Sequence, residues 1–155
     1  MRKDFAKILK DEMSINNDLV VVLGDVGYGI FDELRENYPE RVINPGASEQ
    51  LILGLGVGLA LEGKIPILYS ITPFILFRPF EFIRNYLNHE NIPVKLVGSG
   101  RDLDYGPAGF THHSEDDILI DNFKNIVTFK PENFSKEIFN EFLYNKKPSY
   151  LNLKR

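Results

Sequence analysis

Along this chain the apolar positions switch repeatedly between helical spacing and short unbroken runs. Residues 4–13 place Phe5, Ile8, Leu9 and Met13 at helical intervals. The run DLVVVLGD (18–25) is continuous and β-branched, the mark of a strand buried on both faces. Four further runs read the same way: IPILYSI (65–71), IPVKLVGS (92–99), NIVTF (125–129) and PSYLNLK (148–154). Between them the spacing predicts helices around 30–38, over 49–62, over 78–90, within EDDILIDNF (115–123) and over SKEIFNEFLYN (135–145). Ser48 stands where a cap is expected, Gly63 just past the end of the same helix, and Pro79 where a first turn tolerates it.

Strands alternating with helices imply an α/β fold, a parallel β-sheet sandwiched between helices, in a single domain over 1–155. Ligands of such sheets bind in the crevice at the C-terminal ends of the strands. The loops after the strands are therefore the candidates: GDVGYG (24–29), TPFILFR (72–78) and GSGRDLDYGPAGFTHH (98–113). The last is long for a connection in a compact domain, which points to a functional loop.

One expected helix is unusual. NPGASEQLILGLGVGLALEG (44–63) opens on Glu49 and then carries Gly54, Gly56 and Gly58, each costing about 1 kcal/mol relative to alanine. Gly54 and Gly58 lie four residues apart on one face, which favours close approach by a neighbouring subunit. An anion suits a helix N-terminus, whereas burial between subunits would push the other way and disfavour the charged form.

Composition narrows the classes. The 18 basic and 22 acidic residues give a net charge of −4 without long single-sign runs, so there is no nucleic-acid footprint. No cysteine points to an oxidising compartment. The charged start MRKDFAKILKDEM has no signal-peptide core, and LILGLGVGLALEG is too short to span a bilayer. The expectation is a soluble cytoplasmic domain with no membrane or nucleic-acid partner. Phosphate-loop and dinucleotide motifs fail, because Ile65 follows GLALEGK and Leu59 replaces the third glycine of GxGxxG. His112 and His113 are adjacent and the third histidine is His89, a poor set for zinc.

Four segments occur together in order: RVINPGASEQ (41–50), SITPFILFRPFEFIRN (70–85), GFTHHSEDD (109–117) and the terminal PSYLNLKR. In this the chain resembles the pyrimidine-binding domain of transketolase and of deoxyxylulose-phosphate synthase, from about Asp4 to Arg155. The resemblance implies a domain that holds the aminopyrimidine of thiamine diphosphate. Glu49 falls on the glutamate that bonds pyrimidine N1′ and so activates the cofactor, and Ala47 lies beside it. Phe74 falls on the aromatic that stacks on the ring, with Ile75 at that place in an alignment shifted by one. Arg78 and His112 match positions that reach the substrate, His112 also serving catalysis, and Asp25 matches an acid lining the cofactor cleft.

The resemblance also implies partners. GDVGYG lacks the second glycine of the family's diphosphate-site GDG motif, so the diphosphate and its magnesium are expected on a separate diphosphate-binding subunit, and none of the chain's own residues is expected to bind metal. A homodimer is expected as well. Ala108 stands where many transketolases carry an aspartate that recognises a sugar hydroxyl. The implied reaction is transfer of a two-carbon ketol unit from a small phosphorylated sugar or keto-acid. A synthase-like condensation and a non-catalytic partner-binding role stand as alternatives.

Overall fold

The structure, a computed structural model, describes residues 1–115 and 117–155. Among them, six strands form one fully parallel sheet in the order β2-β1-β3-β4-β6-β5. These are β1 (Leu19–Leu23), β2 (Val42–Ile43), β3 (Ile65–Ile71), β4 (Lys95–Ser99), β5 (Val127–Phe129) and β6 (Ser149–Leu153). Five match the apolar runs. The sixth, β2, was not expected: two residues on a sheet edge are too few to display a period.

Parity along the strands sorts side chains into two cores. Leu19, Val21, Leu23, Ile67, Tyr69, Leu151 and Leu153 face α1 (Arg2–Ile15), α2 (Asp32–Asn37) and α6 (Lys136–Tyr144). Val22, Leu68, Leu96 and Tyr150 face α3 (Glu49–Leu61), α4 (Thr72–Phe77) and the segment after it. Burial on both faces is what continuous Val/Ile/Leu runs provide for, and it produces three layers.

Four local expectations need correction. TPFILFR is not a loop: α4 begins at Thr72, directly after β3 ends at Ile71, with Pro73 in its first turn where no amide is missed. The helix expected over 78–90 divides into α5 (Phe80–Phe82) and a π-helical stretch, Ile83–His89. EDDILIDNF forms a 3₁₀ segment, Asp117–Asn122, and its Asp116 lies outside the described residues. Ser48 does not cap α3 with its side chain; its hydroxyl donates to the Pro45 carbonyl at 3.2 Å.

Within the chain, one glycine of α3 makes a close approach. Gly56 is the close-approach position, because a Cβ there would stand 2.8 Å from Leu68 Cδ1 of β3. Gly54 looks toward Phe82 of the same chain, and the space around Gly58 is open. Gly56→Ala should therefore destabilise the isolated chain by about 1 kcal/mol net, as overpacking outweighs the helix-propensity gain. Gly58→Ala should stabilise it by up to about 1 kcal/mol. Urea unfolding of the two variants measures the contrast.

Lys95 opens β4 at the end of the sheet away from the crevice and is 1% exposed. Its Nζ donates to Asn145 Oδ1 and the Lys147 carbonyl, both at 2.7 Å, and no carboxylate pairs with it among the described residues. Burial pushes this ammonium down to about 7. Between pH 7 and about 10 the unfolded chain then binds the extra proton, so stability should rise with pH across that window. The expected gain is on the order of 2–3 kcal/mol, and Lys95→Met should flatten it in urea titrations at pH 7 and 9.5.

Candidate active site

The strand order reverses direction beside β1, which has β2 on one side and β3 on the other. That switch point opens a crevice at the strands' C-terminal ends. Glu49, the first residue of α3, points into it and is 2% exposed. One carboxylate oxygen, Oε1, accepts from Ser70 Oγ at 2.9 Å; the other, Oε2, accepts from an Arg78 guanidinium nitrogen at 2.6 Å. The charge expected at this helix start is therefore buried and paired, as a low-dielectric position demands.

Ser70 is on β3 with the parity of Leu68, so it faces α3. Gly24, directly after β1, completes the floor: a Cβ there would stand 2.8 Å from Ser70 Oγ and 3.3 Å from Glu49 Oε1. Neither Gly24 nor Ser70 was a candidate from sequence. Their role depends on the β1–β3 register, which pairs Leu23 with Tyr69.

Helix α4 presents the next two groups. Phe74 is half-buried on its crevice side, while Ile75 is fully buried in the core and offers no face to the crevice. Arg78, at the end of α4, lays its guanidinium over the Phe74 ring, Cζ 3.8 Å from the centroid. The ring of His112 meets Phe74 edge to face at 4.9 Å between centroids, and its Nδ1 lies 3.0 Å from Thr111 Oγ1. The structure thus brings Glu49, Phe74, Arg78 and His112 into one chain of contacts. Ala47 lies on the exposed rim, lining an open depression of about 620 Å³ with Glu49 and Arg78.

Asp25 is not joined to this chain by any hydrogen bond. It sits in the left-handed region at φ 56, and its carboxylate accepts from Tyr28 Oη at 2.5 Å and Asn44 Nδ2 at 3.2 Å. Those two hydrogen bonds hold its carboxyl below the usual range. Among the described residues no group of three or more His, Asp or Glu side chains is placed to hold a metal, and no helix is long and apolar enough to cross a membrane.

The loop that carries His112 is rooted in a buried polar clasp. Asn152 on β6 donates through Nδ2 to the Gly100 carbonyl at 3.1 Å and accepts from Arg101 Nε at 2.7 Å. Thr72, the first residue of α4, donates to the same Gly100 carbonyl at 2.6 Å. The clasp thereby ties the loop to the helix that bears Phe74 and Arg78. Asn152→Leu would leave buried partners unsatisfied and should cost about 2–3 kcal/mol. Hydrogen exchange should accelerate selectively at amides of the loop 101–113 while β1 and β3 amides keep their relative protection.

Residues 1–154 match the family described as transketolase, pyrimidine binding domain. An apulose-4-phosphate transketolase subunit of Actinobacillus succinogenes is 38% identical over 97 residues, covering 62% of this chain and 31% of that protein. A putative transketolase C-terminal section of Methanocaldococcus jannaschii is 29% identical over 159 residues, covering all of this chain and 50% of that protein. The chain thus spans at most half the length of these two relatives. Among solved structures, "Split gene transketolase, inactive beta4 tetramer" superposes with a TM-score of 0.81 at 25% identity, covering 99% of this chain and 50% of that one. A transketolase from Campylobacter jejuni shares the fold, with a TM-score of 0.86 at 18% identity over 98% of this chain and 25% of that one.

Proposed function

The chain belongs to the family of transketolase pyrimidine-binding domains, and from that premise we propose that it is the pyrimidine-binding subunit of a split transketolase-like enzyme. It works with a separate diphosphate-binding subunit, which contributes magnesium, to transfer a two-carbon ketol unit. The observation that carries this reading is the Glu49 carboxylate, buried at the switch-point crevice beside the half-buried ring of Phe74. The residues fit an aminopyrimidine. Gly24 keeps any side chain off Ser70 and the acid, Glu49 offers a buried carboxylate, and Phe74 offers an aromatic surface. Thiamine diphosphate, when bound, supplies a thiazolium carbon that adds to a carbonyl and then holds the resulting electron pair.

Each residue then has a defined task. Glu49 hydrogen-bonds pyrimidine N1′ and shares a proton with it, general acid–base help worth about 10²–10⁴ in rate. Ser70 keeps that carboxylate oriented through Oε1. Phe74 fixes the plane of the ring, Ala47 borders it, and Asp25 lines the cleft mouth. His112, held against Phe74, exchanges a proton with the substrate hydroxyl, and Arg78 serves the anionic end of a small phosphorylated sugar or keto-acid.

The relatives support the subunit reading. Those described as apulose-4-phosphate and 6-deoxy-6-sulfo-D-fructose transketolase subunits carry names that denote subunits and anionic sugar substrates. A self-associating chain, inactive by itself, agrees with the words "inactive beta4 tetramer" for the split transketolase. The outward side of α3, with Leu51 and Leu61 exposed, is the surface proposed for the homodimer, and the cytoplasm is the proposed location.

Co-purification with a diphosphate-binding subunit should yield thiamine-diphosphate-dependent ketol transfer, measured by donor consumption with ketose phosphates. Glu49→Ala should reduce the rate at least about 10²-fold, and His112→Ala about 10²–10⁴-fold, with the complex still assembling. Undiminished turnover by the Glu49→Ala complex would sink the proposal.

A further inference from the structure

Arg78 makes two contacts that are hard to reconcile with a guanidinium waiting for substrate. It donates to Glu49 Oε2 at 2.6 Å, and its Cζ lies 3.8 Å from the centroid of Phe74. Those are the hydrogen-bond acceptor and the aromatic surface that the proposed function assigns to the cofactor's pyrimidine. A guanidinium is planar, delocalised and rich in N–H donors, and it stacks on aromatic rings. In shape and hydrogen bonding it approximates the N1′ edge of a protonated aminopyrimidine.

Resting on that reading of the site, we propose that Arg78 is a place-holding latch. In the cofactor-free chain it occupies the pyrimidine's position, stacked on Phe74 and paired with Glu49, and cofactor binding must expel it. The need for such a group follows from burial. The Glu49 side chain is 1% exposed, and an unpaired carboxylate there would be costly. Ser70 satisfies Oε1 as a neutral donor, so the counter-charge comes from Arg78 alone among the described residues.

The arginine is also well placed to leave. Its side chain is 45% exposed, and it sits at the C-terminal end of the short helix α4. Pro79 follows and cannot prolong the helical hydrogen bonding with an amide of its own. Rotation of the side chain alone vacates the ring of Phe74 and the Oε2 position, with Gly24, Ser70 and the sheet unchanged. Once displaced, the guanidinium remains at the rim beside Ala47 and Gln50, where the proposed function has it meet an anionic substrate. The latch thus couples occupancy of the pyrimidine site to release of the substrate-binding cation.

A latch lowers apparent affinity by the fraction of molecules in which it is open. The probe is the free pyrimidine half of the cofactor, 4-amino-5-hydroxymethyl-2-methylpyrimidine, titrated calorimetrically into the whole chain. Arg78→Met should bind it about tenfold more tightly than the unmodified chain, as expected if the latch is closed in about nine molecules of ten. Arg78→Lys, which keeps the charge without the stacking plane, should fall between them. In the unmodified chain the Nη–H resonance of Arg78 that donates to Glu49 should be protected from exchange and lose that protection as the pyrimidine is added.

A purely structural arginine would lower the melting temperature without tightening pyrimidine binding. Equal or weaker binding by a folded Arg78→Met, with Glu49→Gln still abolishing binding, overturns the latch and leaves the cofactor reading intact. Absence of binding at millimolar pyrimidine in all variants overturns both. If Arg78→Met does not fold, an unchanged Arg78 Nη–H signal in the saturated unmodified chain overturns the latch by itself.

Discussion

The structure around the crevice depends on one constraint: a carboxylate buried at the start of an apolar helix must have partners. Glu49 has the α3 N-terminus behind it, a neutral hydroxyl on one oxygen and a guanidinium on the other. The elements that supply these partners are fixed by it in turn. Ser70 requires β3 to lie beside β1 in its observed register, and Arg78 requires α4 to fold back immediately over the end of β4. Gly24 follows from the same constraint, since a side chain there would collide with the hydroxyl that holds the acid.

Beneath the crevice the two cores do different work. The core below α1, α2 and α6 is built from aliphatic and aromatic side chains, with the ring of Phe5 against those of Phe31, Phe134 and Phe139. The core below α3 and α4 admits polar groups near its upper edge: Thr72, Asn152 and the hydroxyl of Tyr150, all buried and mutually hydrogen-bonded. Buried polar groups of this kind need every partner satisfied, and when satisfied they specify one arrangement. They lie where the His112 loop departs, so geometry is enforced most strictly at the base of the segment that must meet Phe74.

What was legible in the sequence, and what was not, follows from the range of each interaction. Continuous runs such as LVVVL and IPILYSI announce strands because burial on both faces leaves no polar alternation to confuse the period. The edge strand Val42–Ile43 has no period to read. TPFILFR looked like a loop because it follows a strand without punctuation, and only the packing of Ile75 and Leu76 into the second core reveals a helix. Glu49, Phe74, Arg78 and His112 could be named because resemblance carries long-range information that local patterning lacks. Ser70 and Gly24 could not, since each matters through a neighbour on another strand. The glycines of α3 show the same limit: spacing identified Gly54 and Gly58 as a face, whereas contact with Leu68 singles out Gly56.

Under the proposed division of the enzyme, the pairing of Glu49 with Arg78 bears on how the acid is kept in order before the cofactor arrives. A buried acid that awaits its cofactor faces a choice between a solvated, mobile state and a satisfied, rigid one. Side-chain mobility would preserve solvation at the cost of the orientation that catalysis requires, because each rotamer lost on assembly must then be ordered at that moment. A removable cation from the same domain avoids that choice. It keeps Glu49 oriented against Ser70 in the isolated chain, and its half-exposed position makes the exchange for another planar donor a local event. On the latch proposal the same residue then stands at the rim with a freed positive charge, so a single side chain would encode the order in which ligands enter.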